Sequence, residues 1–125
     1  MLSAVLEEPK RLVVKEREIP EIGEGDILVK VAACAVCGTD VKKYFRGHRL
    51  IKSYPIVPGH ELSGEIVAVG RRAREIEVKT DRGREIREFY EGERVVIAPV
   101  IACERCRNCV EGRYELCIFL SLIHI

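Results

Sequence analysis

Runs of β-branched and aliphatic residues, each bounded by turn formers or by charge, recur along the chain and predict a mostly β protein. Leu12–Val14 and Ile27–Val36 are the first two runs. Between them, Glu21-Ile22-Gly23-Glu24-Gly25-Asp26 predicts a loop whose two glycines free the backbone. Thr39 or Asp40 is placed to cap a short helix that runs through Phe45 and stops at Gly47. Ser53–Gly59 contains Pro55 and Pro58, so it is extended and excluded from helix. Ile66, Val67 and Val69 make the next strand, ended by Gly70. Ile76 and Val78 alternate toward Asp81-Arg82-Gly83, and Ile86 and Phe89 return from it, which is the signal of a hairpin. Arg94–Val100 is nearly continuous in apolar residues, the pattern of a strand buried on both faces or crossing a core. There is no internal repeat and no low-complexity tract. The expected architecture is a small, mainly β domain with a cysteine-rich loop appended.

Composition narrows the partners. A chain of 125 residues is one domain's worth of protein, or part of a larger one. Basic and acidic residues number 21 and 20, a balance of +1 that offers no single-sign field to nucleic acid or anionic lipid. The densest charge run, Arg71 to Arg94, mixes eight Lys/Arg with seven Asp/Glu and reads as a solvated surface laced with salt bridges. The longest unbroken apolar stretch, Val95 to Cys103, has nine residues and includes Pro99. Spanning a bilayer takes roughly 20. No basic start leads into an apolar segment, so the expectation is a cytoplasmic protein with neither membrane nor nucleic-acid partner.

Six cysteines are many for such a chain, and in a reducing compartment that density points to metal or catalysis before disulfides. Cys103-x2-Cys106-x2-Cys109-x7-Cys117 places four thiols within 15 residues. Four thiolates at short loop spacing can close a tetrahedral shell around zinc. With every corner taken by protein, such a site is structural and contributes folding energy to a loop with little core. Asn108 and Gly112 allow the tight turns, and Arg105, Arg107 and Arg113 offset the roughly two negative charges of a four-thiolate zinc site. The first three cysteines also match the front of an iron–sulfur run, but no fourth follows after three residues with a proline. Two disulfides are the remaining alternative, and they fit poorly with the absence of a signal peptide.

A second constellation is more dispersed. Cys37-Gly38-Thr39-Asp40 follows the strand ending at Val36, and Gly59-His60-Glu61 follows the proline-marked loop. Taken alone, a cysteine at a strand end is a packed side chain and a single histidine a hydrogen-bonded one. Together they supply a soft thiolate and an imidazole, each beside a glycine that permits close backbone approach. Catalytic zinc uses three protein ligands and keeps a fourth position open. Cys37 and His60 suit two of them, and Glu61 is placed to orient His60 or to bind the metal itself.

Cys37-Gly38-Thr39-Asp40, Gly59-His60-Glu61-Leu62-Ser63-Gly64 running on to Val69-Gly70, Gly92-Glu93-Arg94-Val95 and the four-cysteine lobe occur in this order. In them the chain resembles the N-terminal catalytic domain of the zinc-dependent alcohol dehydrogenases of the medium-chain dehydrogenase/reductase superfamily, over roughly Leu2 to Cys117. The resemblance implies a GroES-like, partly open β-barrel over residues 1–117, with the zinc lobe at 99–117. It implies a catalytic zinc held by Cys37 and His60, with Glu61 beside them, and Thr39 as the hydroxyl taking the substrate's proton. Cys103, Cys106, Cys109 and Cys117 would hold a structural zinc. The reaction implied is reversible oxidation of an alcohol to a ketone or aldehyde with NAD or NADP, in a homo-oligomer when full length. Zinc fits that chemistry as a Lewis acid on the alcohol oxygen.

The chain also departs from the family. No G-x-G-x-x-G opens a helix after a strand, so the expectation is that the nucleotide-binding domain is absent and the isolated chain inactive. The third catalytic ligand, which relatives supply beyond the lobe, is not assigned, and Glu61 is the substitute at hand. Residues 118–125 are an apolar tail, read as truncated or non-native, and His124 within it as incidental. Lys42 stands where many relatives carry a proton-relaying histidine. Cys34 forms an incidental C-x-x-C with Cys37 and reads as an apolar filler on its strand, with a redox pair as the other reading. The Ile76–Phe89 hairpin is longer than the usual connection, a surface decoration or an intersubunit contact. Tyr44, Phe45, Arg46, Gly47 and His48 after the Cys-Gly-Thr-Asp motif look more like the polyol, sugar and threonine dehydrogenase branch than the ethanol branch. Arg46, His48 and Arg49 suit hydroxylated or anionic substrates, or simply a solvated loop. The alternatives to a dehydrogenase domain are a stand-alone zinc-stabilised binding module without catalysis, an iron–sulfur carrier, and a zinc-free reductase of the same superfamily.

Overall fold

A computed structural model describes residues 1–47, 51, 53–80 and 83–122. The strands are β1 (Leu2–Glu8), β2 (Arg11–Glu16), β3 (Ile27–Ala35), β4 (Glu61–Val69), β5 (Glu75–Thr80), β6 (Gly83–Glu88), β7 (Arg94–Ile97), β8 (Val100–Ile101) and β9 (Ser121–Leu122). Helix α1 covers Gly38–Arg46, α2 covers Arg107–Val110, and a 3-10 turn covers Tyr114–Leu116. The mainly β expectation holds. Among the described residues every sheet is open: β1-β2, β3-β4-β7, β5-β6 and β8-β9. No helix among them is long and apolar enough to cross a membrane.

The chain divides into two compact units. The first comprises Met1–Arg17, Cys34–Glu61 and Ile97–Ile125. Here β1 and β2 pair antiparallel, with Ala4 opposite Val14 and Leu6 opposite Leu12. The sequence pattern showed only the β2 half of this hairpin. Val5 and Leu6 are buried, the latter to 1% exposure, and each such side chain contributes about 1.5–3 kcal/mol by leaving water. Leu6 and Ile56 exchange both backbone hydrogen bonds, at 2.8 and 3.0 Å, which straps the extended segment leading to His60 onto β1. That segment includes a cis Tyr54–Pro55 bond. At the hairpin turn, the Lys10 N–H donates to Tyr44 O at 2.6 Å, tying the hairpin to α1.

The second unit comprises Glu18–Ala33 and Leu62–Val96. Its sheet runs β3-β4-β7 around Ile66, which is 1% exposed and bonds through its N–H to Glu93 O. The predicted loop at 21–26 is a clamp: Asp26 O and Glu24 O accept from Gly70 N–H and Arg72 N–H, each at 2.8 Å. β5 and β6 form the predicted hairpin, with Glu75 opposite Glu88 and Val78 opposite Glu85; Asp81 and Arg82 at its turn lie outside the described residues. The charge run is largely solvated as expected, with pairs such as Arg71–Glu24 and Arg84–Glu77 at the surface.

One strand differs from its pattern. Arg94–Val100 is not a single strand buried on both faces, for β7 ends at Ile97, and Val96 is 82% exposed. Pro99 lacks the N–H a ladder needs and separates β7 from β8.

Candidate functional site

Cys37 is the N-cap of α1. Its Sγ accepts the Thr39 N–H at 3.3 Å, and its own N–H donates to Asp40 Oδ2 at 3.1 Å. This is a capping box with a thiol in the usual hydroxyl position. The cap is therefore two residues before Thr39 and three before Asp40, and Asp40 serves as its reciprocal N3 partner. Satisfying these helix-end donors also fixes the direction of the Cys37 sulfur. Thr39 is half-buried in the first turn and Lys42 is exposed on the same helix.

The second loop arrives through Gly59. Its φ is +107°, a backbone conformation that favours glycine, and a Cβ there would lie 2.8 Å from Cys34 Sγ. The turn carries His60 inward to 9% exposure, whereas Glu61 opens β4 at the surface. As a result Cys37 Sγ, a His60 ring nitrogen and a Glu61 carboxylate oxygen all lie within 4.8 Å of one another. Asp40 Oδ1 lies 3.5 Å from His60 Nδ1 and 3.6 Å from Lys43 Nζ. At that length and direction the imidazole contact is not a hydrogen bond, and Asp40 Oδ1 and His60 Nδ1 stand as buried polar atoms without one.

This donor set fits zinc. A sulfur, an imidazole and a carboxylate converge from two loops, and with Nδ1 turned toward Asp40 the other ring nitrogen is the one left for a metal. The sequence alone left the third ligand open; in the structure a Glu61 carboxylate oxygen lies within 4.8 Å of the Cys37 and His60 donor atoms. Asp40 figured in the sequence only as a helix cap, although its Cys-x-x-Asp spacing is a capping-box signal. Lys43 was not singled out at all, and nothing in the helical spacing marks it as 2% exposed.

Cys34 is not the packed filler its strand position implied. It is exposed, and it lines an apolar groove of about 370 Å³ with Leu6, Leu12, Val36, Val41 and Phe45. His48 and Arg49, candidates for contacting substrate, and His124 lie outside the described residues.

The four-cysteine lobe forms a cluster of its own. All four sulfurs lie within 4.8 Å of one another, with Cys103–Cys109 at 3.9 Å and Cys106–Cys109 at 3.4 Å. Four sulfurs held ~2.3 Å from one ion in a tetrahedron stand roughly 3.8 Å apart, so the cluster has the size zinc requires. A disulfide needs about 2.05 Å, and all six cysteines are free. Backbone N–H groups aim at the sulfurs, Cys106 N–H to Cys103 Sγ and Cys103 N–H to Cys117 Sγ, each at 3.3 Å. The N–H groups of Cys109 and Ile118 hold the Cys106 thiol down at about 6. Burial, then the Cys106 and Cys117 sulfurs, push Cys109 up to about 12. The arginines do less for the sulfurs than their number implied: Arg107 and Arg113 both pair with Glu111, and Arg105 lies over the Phe119 ring. Asn108 closes the lobe by donating from Nδ2 to Leu116 O at 2.6 Å. Beyond the lobe, Ser121 and Leu122 pair with Ile101 and Val100.

The profile of the alcohol dehydrogenase GroES-like domain matches residues 23–124, and the chain belongs to that family. L-galactonate-5-dehydrogenase of Escherichia coli (strain K12) is 35% identical over 97% of this chain, a span that is 32% of the relative. Among solved structures, galactitol-1-phosphate dehydrogenase from Escherichia coli superposes with a TM-score of 0.75 at 31% identity, covering 98% of this chain and 32% of that one. A short chain alcohol dehydrogenase from E. coli CFT073, complexed with the cofactor NADH, superposes with a TM-score of 0.70 at 37% identity, covering 100% and 32%. These likenesses bear out the GroES-like fold. The chain spans about a third of the length of the relatives it matches.

Proposed function

We propose that the chain is the zinc-binding catalytic domain of an NAD- or NADP-dependent dehydrogenase that oxidises a secondary alcohol or polyol to a ketone or aldehyde. The observation that carries this reading is the convergence of Cys37, His60 and Glu61 beside Thr39, in a chain of this family. Cys37, His60 and Glu61 would hold one zinc, and Cys103, Cys106, Cys109 and Cys117 a second, structural one. Bound at the first site, zinc would supply Lewis acidity to a substrate oxygen. The polyol class is favoured by relatives such as galactitol-1-phosphate dehydrogenase and L-galactonate-5-dehydrogenase.

The chain's own residues divide the remaining work. The helix cap holds the Cys37 sulfur in place, and the Gly59 turn delivers the His60 ring to it. Asp40 Oδ1 faces the far nitrogen of that ring at 3.5 Å, and by closing to hydrogen-bond distance it would orient the ring. Thr39, two residues from Cys37, would take the substrate hydroxyl's proton while passing its own on to solvent, and the nicotinamide cofactor, when bound, would supply the hydride acceptor. That cofactor would be bound by a separate nucleotide-binding domain, since this chain carries no glycine-rich phosphate loop. The test is a chimera of this chain with a relative's nucleotide-binding domain, assayed for alcohol-dependent nicotinamide reduction. Activity should be present in the chimera and lost in its His60→Ala form. Equal turnover by both removes His60 from the mechanism.

A further inference from the structure

We propose that Lys43 is a positioning residue for the Cys37–His60–Glu61 site, acting through Asp40. The proposal rests on reading that trio as a metal site. Lysine is almost never fully buried unless its ammonium is paired. Lys43 is nevertheless 2% exposed, one turn into α1, and its Nζ lies 3.6 Å from Asp40 Oδ1. Neighbouring Lys42 is exposed, so burial is a property of this position and not of the helix.

What Asp40 does with its two oxygens makes the lysine matter to the site. Oδ2 is taken by the Cys37 N–H at 3.1 Å. Oδ1 faces Lys43 Nζ on one side and His60 Nδ1 on the other. One carboxylate thus touches both loops that carry the soft donors, and its side chain is only 12% exposed. A carboxylate this deep needs a compensating cation to remain where it is. Among the described residues, Lys43 is the permanent cation beside it. Lys43 thereby holds Asp40 between Cys37 and His60, where Oδ1 is the group placed to close on the imidazole and orient it toward the metal. Removing the ammonium leaves the carboxylate with the Cys37 N–H alone. It would then turn toward water and release the His60 ring. Outer partners of metal ligands commonly change affinity by about 10–100-fold.

The test follows zinc release from the zinc-loaded chain to a chromophoric chelator, alongside thermal unfolding, in the parent and in Cys37→Ser, Lys43→Met and Lys43→Gln. Cys37→Ser identifies which zinc belongs to this site. Lys43→Met should weaken that zinc at least tenfold, leave the lobe zinc at parental affinity and keep the parental unfolding transition. Three results would overturn the proposal. If Cys37→Ser loses no zinc, the metal-site reading fails, and the role of Lys43 with it. If Cys37→Ser loses one zinc but both Lys43 variants hold it as the parent does, the role of Lys43 alone fails. If Lys43→Met weakens both zincs together and unfolds earlier, the lysine is merely structural. Should Lys43→Met fail to fold, Lys43→Gln decides: a tenfold loss confined to the Cys37 site sustains the proposal, and parental affinity rejects it.

Discussion

Cys37 and Asp40 hold each other across the first turn of α1, the sulfur receiving the helix-end N–H of Thr39 while the carboxylate receives the N–H of Cys37 at 3.1 Å. The start of the helix and the candidate metal site are therefore built from the same two side chains, so a substitution can separate the two roles only if it preserves one of them. Asp40→Ala removes both. It should cost about 1 kcal/mol in unfolding free energy through the lost cap. It should also weaken zinc at Cys37 and His60 by about 10–100-fold. Asp40→Asn keeps an oxygen for the Cys37 N–H but gives up the charge facing Lys43 and His60. Its denaturant midpoint should stay near the parent's while zinc affinity still falls about tenfold. An Asn variant that binds zinc like the parent would show that the carboxylate serves the helix only.

The lobe makes a prediction of a different kind, because its buried residues are the cysteines themselves, with Ala102, Cys103 and Tyr114 packed around them. So small a core cannot hold the lobe without the ion. Cys106→Ser should lower the zinc content by one ion per chain. It should also cost at least about 1 kcal/mol, a fall of roughly 4 °C in melting temperature for a domain of this size. Plasma mass spectrometry and calorimetry on the same sample check both. A serine variant with unchanged zinc and unchanged melting would rule out the structural site.

The two sites were unequally legible in the sequence. Cys103, Cys106, Cys109 and Cys117 are close in the chain, so their spacing alone confines them to one knot, and the sulfurs indeed lie within 4.8 Å. Cys37 and His60 are 23 positions apart, so spacing cannot confine them to one place, and only their donor chemistry and the family motifs suggested the pair. Lys43 was illegible for a physical reason. Lys42 and Lys43 are equally charged neighbours on a nine-residue helix, and which of them is buried depends on what packs against α1. Val96 failed in the opposite sense. An apolar residue in an apolar run is compatible with burial on either face, and 82% exposure at this position is a tertiary fact that the run does not encode. Likewise β1 escaped notice because Leu2–Glu8 mixes Ser3, Ala4 and Glu7 with its aliphatics, and becomes a strand only when β2 pairs with it.

Two glycines should respond oppositely to alanine. A Cβ on Gly64 in β4 would lie 2.3 Å from Lys30 O and 2.8 Å from Val29 Cγ1. Backbone on the neighbouring strand cannot retreat cheaply, so Gly64→Ala should destabilise by about 1–3 kcal/mol or more. Gly38, at the first position of α1, has nothing within 4 Å of the same added atom. Gly38→Ala should be neutral or stabilise by about 0.4–1 kcal/mol, by restricting the unfolded chain. Urea unfolding of the pair checks this, and a Gly64→Ala chain as stable as the parent would mean that β3 and β4 do not approach as closely as the 2.3 Å contact requires.

Acid should act on the lobe through Glu111. Arg107 Nε reaches its carboxylate at 2.9 Å and Arg113 binds its other oxygen, and these two guanidinium contacts, Arg107 first, hold the carboxyl below the usual 4.5. A carboxyl whose folded value is depressed favours the native state only while it is ionised. Its contribution is thus complete above about 4.5 and disappears as pH falls through the lower folded value. Glu111→Gln removes that dependence while keeping the side chain's size. The gap in melting temperature between parent and variant should be constant near neutral pH, begin to close below about 4.5 and vanish in stronger acid. Comparing the two chains at each pH cancels the loss of zinc that acid causes in both, because the cysteines are unchanged. The gap should be small, since Arg107 is largely exposed and exposed ion pairs are screened by water and salt. A gap that widens toward acid, or one insensitive to pH, would show that Glu111 supports the lobe by packing and not through its charge.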